Sequence, residues 1–145
     1  MRVTVIHGPN LNMLGEREPD VYGTLTLADI NAKIADVAGE LRLQVRCAQF
    51  NSEGGIIDAL HAARVEADAV VLNPGAYGHY SYAIADAIAA IGVPVIEVHL
   101  SNTHAREAFR RRSVVAPVCA GSISGFGFES YLLALRAVAA LESSG

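Results

Sequence analysis

Apolar residues along this chain alternate between two rhythms. Five short runs, Arg2–His7, Leu43–Phe50, Ala69–Asn73, Val93–His99 and Val114–Ala120, are rich in β-branched residues and apolar over most of their length. Such continuity predicts strands covered on both faces, as in a parallel sheet. Between these runs the apolar positions move to helical spacing. Leu27, Ile30, Ile34, Val37 and Leu41 form one stripe, entered through Thr26 as N-cap with Asp29 three residues on. Ser52 opens a second helix through Ile56, Ile57, Leu60 and Val65. Ser81 opens a third, in which Ile84, Ala87, Ile88 and Ile91 share a face and Gly92 ends the run. A final helix is expected from about Glu129 to Leu141.

Strand and helix alternating at this length predict an α/β fold with right-handed crossovers. The expected architecture is a flavodoxin-like, doubly wound, five-stranded parallel sheet with helices on both faces. No repeat, linker or low-complexity stretch divides the chain, so residues 1–145 are read as a single catalytic domain. Ligands of such sheets bind beyond the carboxyl ends of the strands. There the sequence concentrates polar and turn-forming residues: His7-Gly8-Pro9-Asn10, Asn73-Pro74-Gly75 and His99-Leu100-Ser101-Asn102.

Composition narrows the picture. The chain is 52% hydrophobic and only 18% charged. No apolar run approaches the roughly 18 residues that span a bilayer, and no signal-peptide pattern opens the sequence. The surplus apolar surface is therefore assigned to subunit contacts, giving a soluble, cytoplasmic homo-oligomer. A formal net charge of −4 argues against a general nucleic-acid binder, and the Arg110-Arg111-Arg112 run alone reads as a solvated face. Cys47 and Cys119 lack CxxC spacing and read as free thiols of a reducing compartment. There is no HExxH, and the five histidines lack helical ligand spacing, so neither metal nor cofactor is expected. Gly125-Phe126-Gly127 is too short a match for a phosphate loop.

Several residues carry chemistry. Asn10 to Gly23 is a long polar segment punctuated by Gly15, Pro19 and Gly23, suited to a lid that carries Arg17 and Tyr22. A free tyrosine ionises near pH 10, so a phenolate at neutrality costs roughly 4 kcal/mol, which a guanidinium offsets. The pair is either a general base or an ordinary surface Arg beside a partly buried Tyr. Glu97 and His99 alternate on one strand and so share a face, either as an oriented acid or as a structural histidine. Asn73 and His79 bracket a turn that resembles a polar binding loop, and the Leu100–Ser101 backbone is suited to a carboxylate. Arg106 and Arg110, four apart, would share a helix face and meet an anion or hydroxyls. Asp86 lies off the apolar stripe of its helix, as a solvated residue or a contact with a neighbouring subunit. Lys33 is the only lysine and flanks a helix stripe, which disfavours a Schiff base and leaves an enolate as the route for removing a proton beside a ketone.

Five segments in order, GPNLNMLGEREPDVYG, FNSEG, LNPGAYGHYS, IEVHLSNTHAREAFR and SGFGFESYLLALRA, resemble the type II 3-dehydroquinate dehydratases across essentially the whole chain. The resemblance implies a lyase that converts 3-dehydroquinate to 3-dehydroshikimate. It implies Tyr22 as the base at C2, Arg17 holding it as tyrosinate, and Asn10 positioning a water at the C3 enolate oxygen. His99, oriented by Glu97, would protonate the departing C1 hydroxyl. Substrate contacts would fall on Asn73, His79, Leu100, Ser101 and Arg110, with Arg106 in support and Asp86 reaching the neighbouring subunit's site. The implied assembly is a homododecamer, a tetramer of trimers. His7, Gly78 and Tyr80 depart from the usual pattern. The alternatives are a flavodoxin-like binding module and an inactive relative serving as a scaffold. The HGPN turn and the lack of a lysine after the fifth strand disfavour a signal receiver, and the lack of a hydroxyl-rich phosphate loop disfavours a flavin carrier.

Overall fold

In the computed structural model, which describes residues 1–144 and side chains as far as Leu141, the expected alternation forms one parallel sheet. Its strands are β1 (Arg2–His7), β2 (Gln44–Gln49), β3 (Ala69–Asn73), β4 (Val95–His99) and β5 (Gly121–Ser124), in the order β2-β1-β3-β4-β5. The reversal between β1 and β3 is the switch point of a doubly wound sheet, and His7 pairs with Asn73 there. The helices are α1 (Pro19–Tyr22), α2 (Leu27–Leu41), α3 (Glu53–Glu66), α4 (Tyr82–Ile91) and α5 (Glu129–Ser144). Val3 and Val5 face a core layer with α2 and α5, whereas Ile6 faces a second layer with α3 and α4. β3 and β4 are buried at every position, which accounts for their mostly apolar residues, with Glu97 the charged exception.

The helix starts form as their cap residues predict. Thr26 Oγ1 accepts from the Asp29 N–H while Asp29 Oδ2 accepts from the Thr26 N–H, closing a capping box on α2. Ser52 and Ser81 accept from the N–H groups of Gly55 and Ile84. Ser81 also donates to Glu53, tying α4 to the start of α3. Gly92 closes α4 in the left-handed conformation.

The fifth strand is a correction. Val114–Ala120 was expected to extend, but Ala116–Val118 forms a 3-10 turn and the strand begins at Gly121. Pro117 has no N–H to give a ladder, and the Ser113 hydroxyl accepts the Ala116 N–H to start the turn. Ile96 to His99 therefore pair with Gly121 to Ser124. Both cysteines are free and half-buried, and burial pushes their thiols up, to about 11 for Cys47 and about 12 for Cys119.

Two loops at the switch point lock together. The Gly8 N–H donates to the Asn73 carbonyl at 2.8 Å, and Gly75, at φ +58°, packs against Pro9. A Cβ on Gly8 would lie 2.7 Å from the Asn73 carbonyl oxygen and 2.8 Å from the Pro74 carbonyl carbon, both rigid backbone. Gly8→Ala is expected to cost about 1–3 kcal/mol of stability, read by denaturant unfolding, because the backbone must part to admit the methyl.

Candidate active site

Tyr22 ends α1, and its hydroxyl sits between two guanidiniums. Arg106 Nη1 donates to it at 2.7 Å and Arg17 Nη2 at 3.2 Å. The same guanidiniums lie 5.0 Å and 4.4 Å from the ring centroid. Sequence spacing singled out Arg17, five residues away; the shorter bond comes from Arg106, 84 residues along the chain. Glu18 reaches both cations, at 3.5 Å and 3.8 Å, from a left-handed position before Pro19. Arg106 and Arg110 do not share a helix. Arg106 is extended between 3-10 turns at Thr103–Ala105 and Ala108–Arg111, yet both arginines line the same pocket as Tyr22.

The second group stands on β4. Glu97 is fully buried, and its Oε2 accepts from His99 Nε2 at 2.8 Å and Ser113 Oγ at 2.8 Å, its Oε1 from Ser122 Oγ at 2.9 Å. Burial alone would push this carboxyl up, but the bonds from His99, Ser113 and Ser122 outweigh it and hold Glu97 below the ordinary carboxylate range. His79 stacks on His99 with centroids 5.7 Å apart and bonds the Arg112 carbonyl through Nδ1 at 2.8 Å. Burial lowers the His79 pKa, and the nearby positive groups of His99 and Arg110 lower it further, against the pull of the Arg112 carbonyl.

One pocket collects most of the expected residues. Asn10, Arg17, Tyr22, Asn73, His79 and His99 line it, together with Leu100, Ser101, Arg106 and Arg110. Asn10 takes a left-handed conformation, and its N–H donates to Asn51 Oδ1 at 3.1 Å. Glu97 stands behind His99 rather than on the pocket wall. Asp86 is exposed on α4 and lies outside the pocket. Lys33 also lies outside, its ammonium 4.9 Å from the Phe128 ring.

The Dehydroquinase class II family model matches residues 1–139. The chain belongs to the class II dehydroquinases. It is 62% identical over 141 residues to the 3-dehydroquinate dehydratase of Pelotomaculum thermopropionicum, covering 97% of this chain and 98% of that one. It is 58% identical to the enzyme of the same name from Desulforudis audaxviator, over the whole of this chain and 97% of that one. The crystal structure of the type II dehydroquinase from Butyrivibrio crossotus superposes with a TM-score of 0.93 at 44% identity, covering 95% of this chain and 97% of that one.

In this class II dehydroquinase several site residues escaped the sequence reading. Ser113 precedes, and Ser122 follows, the segment expected to be the fifth strand, so nothing connected them with Glu97. His7, Asn31 and Tyr131 form a buried polar chain with Asn73. Of these, the sequence singled out only Asn73 and His7, His7 as a polar residue at a strand end and a departure from the usual pattern, while Asn31 and Tyr131 carried no local signal. Gly78, one of the departures, has no space for a side chain, since a Cβ would meet Pro74 Cγ at 2.8 Å, and its carbonyl accepts the Val114 N–H. Tyr80, another, is exposed and edge-on to Tyr77 at 5.9 Å.

Burial pushes the His7 imidazole from its ordinary 6.5 down to about 4, although Asn31 draws it back up. The unfolded chain therefore takes up this proton before the folded one does, so stability is full above 6.5 and falls as pH drops towards 4. Between pH 7 and pH 5 the loss through His7 is expected to be about 2 kcal/mol. Denaturant midpoints at the two pH values check it, and His7→Asn should flatten the slope.

Proposed function

We propose that this chain dehydrates 3-dehydroquinate to 3-dehydroshikimate through an enolate, with Tyr22 as tyrosinate base and His99 as general acid. The observation that carries the reading is the Tyr22 hydroxyl held by two guanidiniums, opposite a histidine paired with a buried carboxylate, in one pocket. The names of the two relatives, both 3-dehydroquinate dehydratases, support the substrate class.

Tyr22 takes the proton at C2, and the C2–H electrons move into the C3 carbonyl to give the enolate. Both guanidiniums favour a negative oxygen on Tyr22. Asn10 holds a water against the enolate oxygen, sharing its developing charge by hydrogen bonding. The enolate electrons then return to form the C1–C2 double bond and expel the C1 hydroxyl, which leaves as water with a proton from His99. Glu97 accepts from Nε2, which leaves Nδ1 as the nitrogen that exchanges a proton with substrate. Asn73, His79 and Arg110, all on the pocket wall, hold ring hydroxyls; the Leu100–Ser101 backbone holds the carboxylate, and the exposed Asp86 reaches the site of a neighbouring subunit. Exchange with solvent returns a proton to His99 and removes one from Tyr22.

The same reading makes residues 1–145 one catalytic domain of a cytoplasmic homododecamer, a tetramer of trimers, in the shikimate pathway of aromatic amino acid biosynthesis. The exposed Tyr80, Tyr82 and Phe109 are apolar surface suited to subunit contacts.

Protein mixed with 3-dehydroquinate should generate the absorbance of a conjugated enone, unaffected by a metal chelator. Tyr22→Phe should lower turnover by about a thousandfold or more, and Arg106→Ala by at least as much as Arg17→Ala, on the order of a hundredfold. No enone from the intact oligomer would reject the reaction, and near-normal turnover in Tyr22→Phe would reject the base.

A further inference from the structure

A hydrogen-bonded chain leaves the pocket at Asn73 and runs into the core through Tyr131 and His7 to Asn31. Its direction is fixed from the pocket end. The Gly75 N–H, 3.1 Å from Asn73 Oδ1, requires an acceptor there, so Asn73 Nδ2 faces the Tyr131 hydroxyl, also at 3.1 Å. The Tyr131 oxygen thus accepts from Asn73, and its own proton goes to His7 Nδ1 at 2.7 Å. His7 then carries its hydrogen on Nε2, which donates to Asn31 Oδ1 at 2.8 Å. The other tautomer would direct two donors at the Tyr131 oxygen and strand the hydroxyl proton where no water reaches. Tyr131 and His7 are both fully buried, and no buried side-chain polar atom among the described residues lacks a partner.

We propose that His7, held as the Nε2–H tautomer, is a positioning residue that fixes the Asn73 amide through Tyr131. One Nδ2 hydrogen of Asn73 is committed to Tyr131, and the other remains for a ring hydroxyl of the substrate. The inference rests on the pocket reading above, in which Asn73 meets substrate. It turns the departure at His7 into a working part of the site. The ring of His7 also packs edge-on to Tyr131, with centroids 5.0 Å apart, so the tyrosine is held by shape as well as by hydrogen bonding.

Two measurements test this. Nitrogen-15 spectra of histidine-labelled oligomer, with His7→Asn identifying the His7 signals, should show a neutral ring protonated on Nε2 at neutral pH. A ring protonated on Nδ1, or an imidazolium, would overturn the proposal whether or not the protein turns over substrate. In kinetics, Tyr131→Phe should raise KM for 3-dehydroquinate about tenfold while kcat moves by less than about threefold, as expected when a binding contact loosens. His7→Leu should match it. His7→Asn, whose Oδ1 sits where Nδ1 was, should restore KM to within about threefold of the parent. An unchanged KM in folded Tyr131→Phe would overturn the proposal, and that variant carries the test if His7→Leu fails to fold. Wild-type protein without turnover would instead reject the proposed reaction, leaving the tautomer to decide the hydrogen-bonded chain.

Discussion

Glu97 is a charge with no exposure to water, set in a strand whose five residues are all buried. An ion in that position is tolerated only when its oxygens are filled by hydrogen bonds. Three donors fill them, and each constrains a different part of the chain. Ser122 aligns β5, Ser113 starts the turn that carries the chain back to the sheet, and His99 is fixed two residues along the same strand. Replacing any one donor would leave a buried carboxylate partly unsatisfied, so the local fold and the orientation of the imidazole depend on the same group.

The two chemical halves of the site are built differently. The proposed acid half is built on a strand, with a buried carboxylate and two serines from neighbouring segments. The proposed base half lies on a short helix entered through a left-handed Glu18, and its tyrosine packs against the edge of the core while two guanidiniums hold its hydroxyl. Tyr22 is only half-buried, whereas His99 is buried. That division suits the proposed reaction, in which a mobile base would close on substrate held against an acid already in place.

What the sequence made legible followed from short-range rules. Period-two geometry was enough to put Glu97 and His99 on one face, and cap residues were enough to start α2, α3 and α4. The crowding of polar residues at the carboxyl ends of strands was enough to locate the pocket. The fifth strand was misread because apolar residues around Pro117 resemble a strand until the missing N–H is counted. Arg106 was placed on a helix shared with Arg110, and its bond to Tyr22 depends on a tertiary approach that no spacing encodes. Ser113, Ser122, Asn31 and Tyr131 were invisible for the same reason: each is ordinary in its own segment and acquires its part only when distant segments pack.

In the proposed mechanism, proton removal at C2 and loss of the C1 hydroxyl are separate steps run by separate residues. Nuclear magnetic resonance of 3-dehydroquinate in deuterated water, with His99→Ala and Tyr22→Phe proteins, tests it directly. His99→Ala should exchange the C2 proton for deuterium while losing little water, and Tyr22→Phe should do neither. Retention of the C2 proton by His99→Ala, or exchange that persists in Tyr22→Phe, would contradict it.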